Sequence, residues 1–416
     1  MAKRRRRRGR RRRGSWFSRL GVMGKIGACL GGVFLCLLAS GVVFVAAKFA
    51  RLETEDIPVE DIVVNKEAEE VGVGFTNVAL FGVDSRTGQL DKGTLSDCII
   101  VASLNNRTKE VKMISIYRDT LLEIEDNYFH KCNAAYSFGG PTQAINMLNK
   151  NLDLDIQDYV TVDFGAISEI IDLLGGVEIT IYEEEIDPFN KFIGETARAA
   201  GKEANWIWYP GTYNMDGVQA TNYARIRSTA GGDFTRTERQ RYVIEKMIEK
   251  IQQSDLRTIN KIINRVLPTV KTSFSATEIL DYAKDFTKYQ LGESLGFPFD
   301  NGLGTISGVG SVVFPKTLTS NVSQLHDFLF GTEGYEPSDT VDSISQNIVV
   351  KSGQRQSTNN TSSRNQTQSN TGNGGQQQSG GNTGGNTGGD AGGDTGGNAG
   401  GDAGGDAGGE APPATE

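Results

Sequence analysis

Two hydrophobic periods alternate along the middle of the chain. Short β-rich runs at residues 77–83, 98–104 and 111–117 each end in polar or turn-forming residues, which is the pattern of strands. Apolar positions at helical spacing follow from Pro141, and the pattern then reads strand, helix, strand through residues 159–181. Strands that alternate with helices predict an α/β fold, a layered α-β-α domain with a central mixed sheet.

Helical patterns resume beyond residue 215. Helices are predicted at residues 216–225, 235–251, 276–287 and 323–330, with a strand at residues 310–314. Thr235 and Glu238 have the spacing of a capping box, which predicts that a helix begins there. Residues 183–210 show no period, and we interpret them as an irregular insert that contains Trp206 and Trp208. This insert is either a lid or pocket rim, or a surface loop held by its aromatic residues.

One uncharged run predicts a transmembrane helix. Residues 26–47 contain no charge, and a helix of this length reaches ~33 Å, enough to cross a hydrocarbon core of ~30 Å. Twelve Lys or Arg and no acidic residue precede this run, so the positive-inside rule places the N-terminus in the cytoplasm and the body outside. The predicted localisation is therefore the cell membrane, single-pass, with an extracellular domain. A cleaved signal peptide is the alternative, because it shares the basic start and the apolar run.

The basic N-terminal segment, residues 1–25, has two interpretations. Beside a membrane span its arginines would attract anionic lipid headgroups; alternatively, the segment would bind nucleic acid. No sequence-specific nucleic acid partner is expected, because the chain has no recognisable helix-turn-helix pattern. The rest of the chain carries 51 acidic residues against 31 basic ones, which argues against a general nucleic-acid surface on the body.

The far C-terminus has the composition of a disordered tail. From residue 353 onward it contains 20 of the 52 glycines, mixed with Asn, Gln, Ser and Thr, and such a sequence cannot bury enough apolar surface to form a core. The predicted organisation is a cytoplasmic polybasic segment at 1–25, a transmembrane helix at 26–47, a stalk at 48–74, an extracellular catalytic domain at 75–350 and a disordered low-complexity tail at 351–416.

Cysteine and histidine offer little basis for catalysis. The chain has two histidines, and Cys29 and Cys36 lie in the predicted span. The remaining pair, Cys98 and Cys132, forms no Cys-x-x-Cys motif, so the sequence indicates neither a zinc site nor a redox site. The sequence does not decide whether Cys98 and Cys132 form a disulfide. Any chemistry must therefore use carboxylates and arginines.

Polar clusters follow the predicted strands, where an α/β sheet usually presents its site. Asp84 and Arg86 come directly after the first strand, and Asp97 opens the next one. Two carboxylates at adjacent strand ends form a hard oxygen site suited to magnesium. Aspartate is also common at strand ends and turns without any ligand, so this signal is weak by itself.

Arginines dominate two further clusters. Arg118 and Asp119 follow the third strand, and a dense segment near the predicted helix start contains Arg225, Arg227, Arg236 and Arg239. Guanidinium groups and free N–H groups at a helix start both suit phosphate; a solvated arginine face is the alternative. Together the clusters predict an external pocket that holds a metal and binds a pyrophosphate.

These segments resemble the LytR-CpsA-Psr family of cell-wall glycopolymer ligases over about residues 77–253. The motifs that carry the resemblance are GVDSR, SD at 96–97, SIYRDT, KCNAAYSFGG, VDFGAISEIIDLLGGV and YARIRSTAGGDFTRTERQ. Tyr117 departs from the pattern, because the family commonly has proline before the Arg-Asp pair. The departure leaves Arg118 and Asp119 in place.

The resemblance implies transfer of a glycopolymer, such as teichoic acid or capsule, from a polyprenyl-pyrophosphate carrier to a peptidoglycan sugar hydroxyl. It also implies that Asp84 and Asp97 hold magnesium, and that Asp233 and Gln240 support the ligating residues or cap the helix. The predicted pyrophosphate ligands are Arg86, Arg118, Arg225, Arg227, Arg236 and Arg239. The predicted catalytic residues are Asp84, Arg118 and Asp119, with Asp84 or Asp119 accepting the proton of the acceptor hydroxyl.

Three other functions stay open at this point. In the first, the chain is a membrane-anchored envelope or transcriptional regulator. In the second, it is a non-catalytic protein that binds polyprenyl phosphate. The third is a phosphatase of lipid pyrophosphates, in which water replaces the sugar hydroxyl, and we keep it as a side activity.

Overall fold

The computed structural model describes residues 53–54, 57–83 and 90–354. No helix within these ranges is long and apolar enough to cross a membrane. The predicted span, the basic N-terminal segment and nearly all of the predicted tail lie outside the described residues, and so does the segment with Asp84 and Arg86.

Strands and helices alternate through most of the described chain. The strands are β1 (Glu53–Thr54), β2 (Phe75–Val83), β3 (Ser96–Asn105), β4 (Glu110–Ile116), β5 (Leu121–Glu125), β6 (Tyr128–Lys131), β7 (Ile156–Asp163), β8 (Val177–Ile181), β9 (Gly211–Met215), β10 (Val270–Thr272), β11 (Gln290–Phe297), β12 (Asn301–Ile306) and β13 (Gly310–Pro315). The helices are α1 (Lys66–Val71), α2 (Asn133–Leu152), α3 (Phe164–Leu173), α4 (Glu183–Ala200), α5 (Gly217–Tyr223), α6 (Asp233–Gln252), α7 (Leu256–Val266), α8 (Ala276–Lys284), α9 (Leu318–Phe330) and α10 (Asp339–Lys351).

Seven strands form a central sheet in the order β1-β10-β7-β2-β3-β4-β11. Strands β2 and β7 pair in parallel, as do β4 and β11, whereas β3 pairs antiparallel with both β2 and β4. The sheet is therefore mixed, and the predicted α/β fold with a central mixed sheet is confirmed.

The two faces of the sheet differ in how they are covered. Successive residues of a strand point to opposite faces. Phe81 and Ile99 belong to a continuous core with α2, α9 and α10. Leu80 and Ile100 alternate with them and line an apolar channel of about 310 Å³ between the sheet and helices α3 and α6. A second core lies beyond this channel, among α3, α4, α5 and the β8–β9 hairpin.

Residues 183–200 form the helix α4, so the prediction of an irregular insert over this range is wrong. Ile186, Phe189 and Ile193 are buried along one side at helical spacing. Three glutamates in the first turn stabilise the helix through their interaction with the positive end of its dipole. The part of the insert without regular structure is short, and it contains Trp206 and Trp208.

The helix α6 begins two residues earlier than predicted. Gly231 and Gly232 precede it with φ angles of 88° and 55°, which favour glycine. The Thr235 hydroxyl donates to the Ala230 carbonyl at 2.8 Å instead of capping the helix. The predicted capping box is therefore wrong, and Arg239 lies beyond the first turn.

The described part of the predicted stalk is folded onto the domain. Ile57 and Ala68 are buried, and the Val63 N–H donates to Asn146 Oδ1 at 2.8 Å. The folded body therefore begins before residue 75.

Cys98 and Cys132 are both free thiols, so the disulfide that the sequence left open is not formed. Burial raises the pKa of the Cys98 thiol to about 12. A thiol that is protonated at neutral pH is a poor nucleophile. Cys98 lines the apolar channel, where it acts as a small apolar side chain.

Candidate active site

Four strand ends meet at one edge of the sheet. Strands β2 and β7 run in parallel, and Val83 pairs with Asp163 at their carboxyl ends. Val83 also pairs with Ser96 at the start of β3. In the antiparallel pair of β3 and β4, Ile100 lies opposite Ser115, so the same register brings Asp97 opposite Arg118 just beyond the end of β4. The polar clusters of the sequence therefore converge.

Asp97 and Asp233 each contact several arginines. The shortest contact joins Arg118 Nη1 to Asp97 Oδ1 at 2.6 Å, and Arg227 Nη2 lies 3.7 Å from Asp97 Oδ2. Asp233 Oδ1 lies 2.9 Å from Arg236 Nη2 and 3.6 Å from Arg118 Nε. Three guanidinium groups thus surround two carboxylates, and this group carries a net positive charge that suits an anionic ligand.

Arg236 is the most unusual member of this group. Its side chain is only 2% exposed, and its Nε and Nη1 atoms have no hydrogen-bond partner among the described residues. Burial, together with the neighbouring cations of Arg118 and Arg227, lowers the pKa of its guanidinium to about 10, although the carboxylate of Asp233 acts in the opposite direction. A buried cation with unused donors is costly unless an anion joins it.

Arg118 is held in its charged form. Burial lowers its pKa, but the Asp97 carboxylate, helped by Asp233 and Asp119, raises the pKa above the ordinary value. Its Nε atom also lacks a hydrogen-bond partner in the described part of the chain. This Nε atom lies within ion-pair distance of two carboxylates, 3.6 Å from Asp233 Oδ1 and 3.8 Å from Asp119 Oδ2.

These side chains face a cavity of about 1000 Å³, which we call the arginine pocket. Its charged lining includes Asp97, Glu195, Lys191, Arg118, Arg225, Arg227 and Arg236. The apolar channel adjoins the arginine pocket, because Phe164 and Gln240 line both cavities. A charged pocket therefore continues into an apolar one, which is the shape required by an amphipathic ligand.

The structure does not bring all of the predicted residues into this pocket. Arg239 Nε and Nη2 contact Glu185 Oε1 at 2.8 and 2.7 Å, and its other donors reach the carbonyl of Ile226 and the hydroxyl of Thr229. Asp119 does not line the arginine pocket, and its Oδ1 lies 3.0 Å from Lys131 Nζ. Arg239 thus connects α6 with α4 and has its donors occupied.

Asp84 and Arg86 lie outside the described residues, so their place relative to this pocket stays a prediction. Within the described ranges, no three His, Cys, Asp or Glu side chains form a group suited to a metal ion. Asp97 is nevertheless at the pocket, with carboxylate oxygens of the kind that magnesium prefers.

Several residues of the arginine pocket are not predicted from the sequence, among them Phe164, Lys191 and Glu195. Lys191 and Glu195 lie on α4, within the range that the sequence predicts to be an irregular insert. The helical spacing of Ile186, Phe189 and Ile193 was the signal that could have placed them.

Arg239→Lys is expected to lower the free energy of unfolding by about 2 kcal/mol, because lysine cannot reproduce the two-nitrogen contact with buried Glu185. Chemical denaturation of both proteins measures this loss. Pyrophosphate affinity of the folded variant should stay within about twofold of the parent, since Arg239 has its donors occupied. A specific loss of pyrophosphate binding without destabilisation would contradict this assignment.

Comparison with known proteins gives a consistent picture. The model of the LytR_cpsA_psr family matches residues 46–301. A polyisoprenyl-teichoic acid–peptidoglycan teichoic acid transferase TagU of Enterococcus faecalis is 29% identical over 54% of this chain and 71% of its own length. The transferase TagV of Bacillus subtilis is 30% identical over 49% of this chain, which spans half of that relative's length.

Solved structures share the fold. A protein from Streptococcus agalactiae superposes with a TM-score of 0.55 at 22% identity, over 66% of this chain and 94% of that one. A protein from Enterococcus faecalis, described as a transcriptional regulator, has a TM-score of 0.50 at 26% identity, over 69% of this chain and 96% of that one.

Proposed function

Since the chain belongs to the LytR_cpsA_psr family, we propose that it transfers a glycopolymer from a polyprenyl-pyrophosphate carrier to a sugar hydroxyl of peptidoglycan. The names of TagU and TagV describe transfer of teichoic acid from a polyisoprenyl carrier to peptidoglycan. Those names favour teichoic acid as the polymer, with capsule or a related polysaccharide as the alternative.

The observation that carries this proposal is the buried Arg236 guanidinium in the arginine pocket, which adjoins the apolar channel. The Nε and Nη1 donors of Arg236 have no hydrogen-bond partner among the described residues, and they require acceptors. A pyrophosphate supplies several anionic oxygens within a few ångströms and balances the surplus of positive charge. Arg225 and Arg227 line the same pocket and add further donors.

The apolar channel supports a long isoprenoid as the other half of the ligand. Ile167 and Ile170 of α3 line it from one side, and Val243, Ile244 and Met247 of α6 from another. An isoprenoid chain in this channel gains the free energy of leaving water. Because the channel meets the arginine pocket at Phe164 and Gln240, one molecule can fill both.

We propose magnesium as the cofactor, held by Asp97 together with Asp84. The carboxylate of Asp97 suits this ion in charge and donor type. Magnesium would neutralise part of the negative charge on the phosphates. The Asp97 carboxylate also contacts Arg118, so the ion would have arginine neighbours on the same pocket wall.

In the proposed reaction, the acceptor oxygen forms a bond to the phosphorus that carries the polymer. The bond from this phosphorus to the bridging oxygen breaks, and polyprenyl phosphate leaves with the electron pair. The proton of the acceptor hydroxyl goes to a carboxylate, for which Asp84 and Asp119 remain our predictions. Arg118, Arg227 and Arg236 stabilise the charge that grows on the departing phosphate.

We further propose that residues 26–47 anchor the protein in the cell membrane, with the N-terminus in the cytoplasm and the domain outside. The basic segment 1–25 would then meet anionic lipids. Anchoring keeps the arginine pocket close to a carrier that itself resides in the membrane.

The test uses the full-length chain in liposomes with a polyprenyl-pyrophosphate-linked teichoic acid and peptidoglycan sacculi. We expect polymer attached covalently to the sacculi, release of polyprenyl phosphate, and loss of both on addition of a magnesium chelator. Release without attachment would indicate a phosphatase, and carrier binding without release would indicate a non-catalytic binding protein. Either result overturns the proposed transfer.

A further inference from the structure

A second large cavity lies next to the arginine pocket and has no part in the reaction described above. It measures about 1030 Å³, and four residues line both cavities: Phe164, Lys191, Glu195 and Arg225. We call it the tryptophan cleft, because Trp206 forms part of its wall. Its volume is at the upper end of the range for small-ligand sites, so it can take an oligomer of several units.

Trp206 is held in place although its side chain is about half exposed, at 49%. The Asn190 side chain of α4 donates to the Ile207 carbonyl at 2.7 Å and accepts from the Ile207 N–H at 3.2 Å. Ile207 is itself buried, and Asn205 Nδ2 donates to Asp216 Oδ2 at 2.7 Å. The indole is thus presented by a segment fixed on both sides, which lowers the entropy cost of using it for binding.

The polar groups of the cleft are of mixed sign. Lys191, Arg198 and Arg225 are accompanied by Asp163 and Glu195. Such a wall offers both charged donors and charged acceptors. Groups with many hydroxyls, which donate and accept at once, fit a mixed lining.

Thr221 provides an independent sign of an absent ligand. It lies between the cleft and the apolar channel and lines both. It is only 4% exposed, yet its Oγ1 atom has no hydrogen-bond partner among the described residues. A buried hydroxyl without a partner is uncommon in folded proteins. A ligand that carries hydroxyl or amide groups would satisfy it.

From these observations we infer that the tryptophan cleft binds a saccharide chain, with one sugar ring stacked on Trp206. The apolar C–H face of a sugar suits an aromatic ring, and its hydroxyls suit the charged side chains around it. The shared lining brings the end of such a chain to the arginine pocket, where the transfer is proposed to occur. The placement of the end of the saccharide at the arginine pocket rests on the proposed function. The saccharide would be either the peptidoglycan acceptor or the polymer on the carrier.

The experiment measures binding by calorimetry to the full-length chain in detergent. Two saccharide probes separate the sources: phosphate-free oligosaccharides from peptidoglycan glycan strands, and teichoic acid freed from its carrier and pyrophosphate. Inorganic pyrophosphate serves as a third probe, for the arginine pocket. We expect one of the saccharides to bind, and Trp206→Ala to weaken that binding about tenfold through loss of apolar contact.

Trp208→Ala is the matched control, because Trp208 is 69% exposed and does not line the cleft. It should change saccharide affinity by less than about twofold, as for a residue outside the contact. Trp206→Phe should keep most of the affinity, which separates stacking from misfolding. Pyrophosphate affinity should be unchanged in all three variants.

The inference is overturned if neither saccharide binds, or if Trp206→Ala and Trp208→Ala weaken binding equally. Failure of the proposed function would look different. Saccharide binding and its dependence on Trp206 would persist, while pyrophosphate binding and transfer to sacculi would be missing.

Discussion

Replacing Arg118 with alanine is expected to slow glycopolymer transfer by about 10²- to 10³-fold, the usual cost of removing one donor that stabilises charge in a transition state. Arg118 contacts both Asp97 and Asp233 and lines the arginine pocket. Its loss therefore removes a donor and also loosens the two carboxylates. The Arg227 side chain is about half exposed, and Arg227→Ala should reduce transfer to a similar extent. The rate of polymer attachment to sacculi measures both effects.

Arg265→Ala is the control for this change. Arg265 is 71% exposed and pairs with Glu169 on α3, and it does not line the arginine pocket. Its removal should leave transfer within about twofold of the parent, because exposed ion pairs contribute little. Membrane localisation and the unfolding midpoint should be the same in all variants. Unchanged transfer by Arg118→Ala would reject the role given to this arginine.

Filling the apolar channel should distinguish the contribution of the isoprenoid to carrier binding from that of the pyrophosphate. Ile244 lines the channel from α6, and a tryptophan there would occupy much of the space of about 310 Å³. We expect Ile244→Trp to weaken binding of a long-chain polyprenyl pyrophosphate by about 100-fold or more, since the isoprenoid then stays in water. Binding of inorganic pyrophosphate should be unchanged. Lipid competition measured on the full-length chain gives both affinities.

Ile244→Leu keeps the volume of the side chain and should bind the long-chain lipid as the parent does. Circular dichroism and unfolding of both variants establish that each is folded. If a folded Ile244→Trp variant binds the long-chain lipid as tightly as Ile244→Leu does, the isoprenoid does not occupy this channel.

The fold was predictable where the hydrophobic period was clear. Residues 77–83 and 98–104 lie in β2 and β3, and the third run lies in β4 except for Tyr117, which follows the end of that strand. Pro141 lies inside α2 directly after a kink at Gly139 and Gly140, so it opens the second helical segment of α2. The hairpin of β5 and β6 was missed, since its strands are only five and four residues long. Its turn contains Asn127 with a φ of 59°, which the Asp-Asn pair of the sequence could have indicated.

The candidate site was predictable in part, for a physical reason. Strand ends gather at one edge of a sheet, so the sequence alone predicts that Asp97 and Arg118 lie close together. The position of Arg239 was not predictable, because it depends on where α6 begins and on Glu185, which lies 54 positions earlier in the chain. Burial of Arg236 likewise arises only from tertiary packing.

The ring of Phe164 borders the arginine pocket, the apolar channel and the tryptophan cleft together. Occupants of these three compartments would therefore share Phe164 as a neighbour, and a shift of this side chain would couple their binding. Thermodynamic linkage makes any such effect reciprocal: if the carrier alters the affinity for the sugar chain, the sugar chain alters the affinity for the carrier by the same factor. Phe164 would then contribute to the cooperativity between the proposed carrier and the proposed sugar chain.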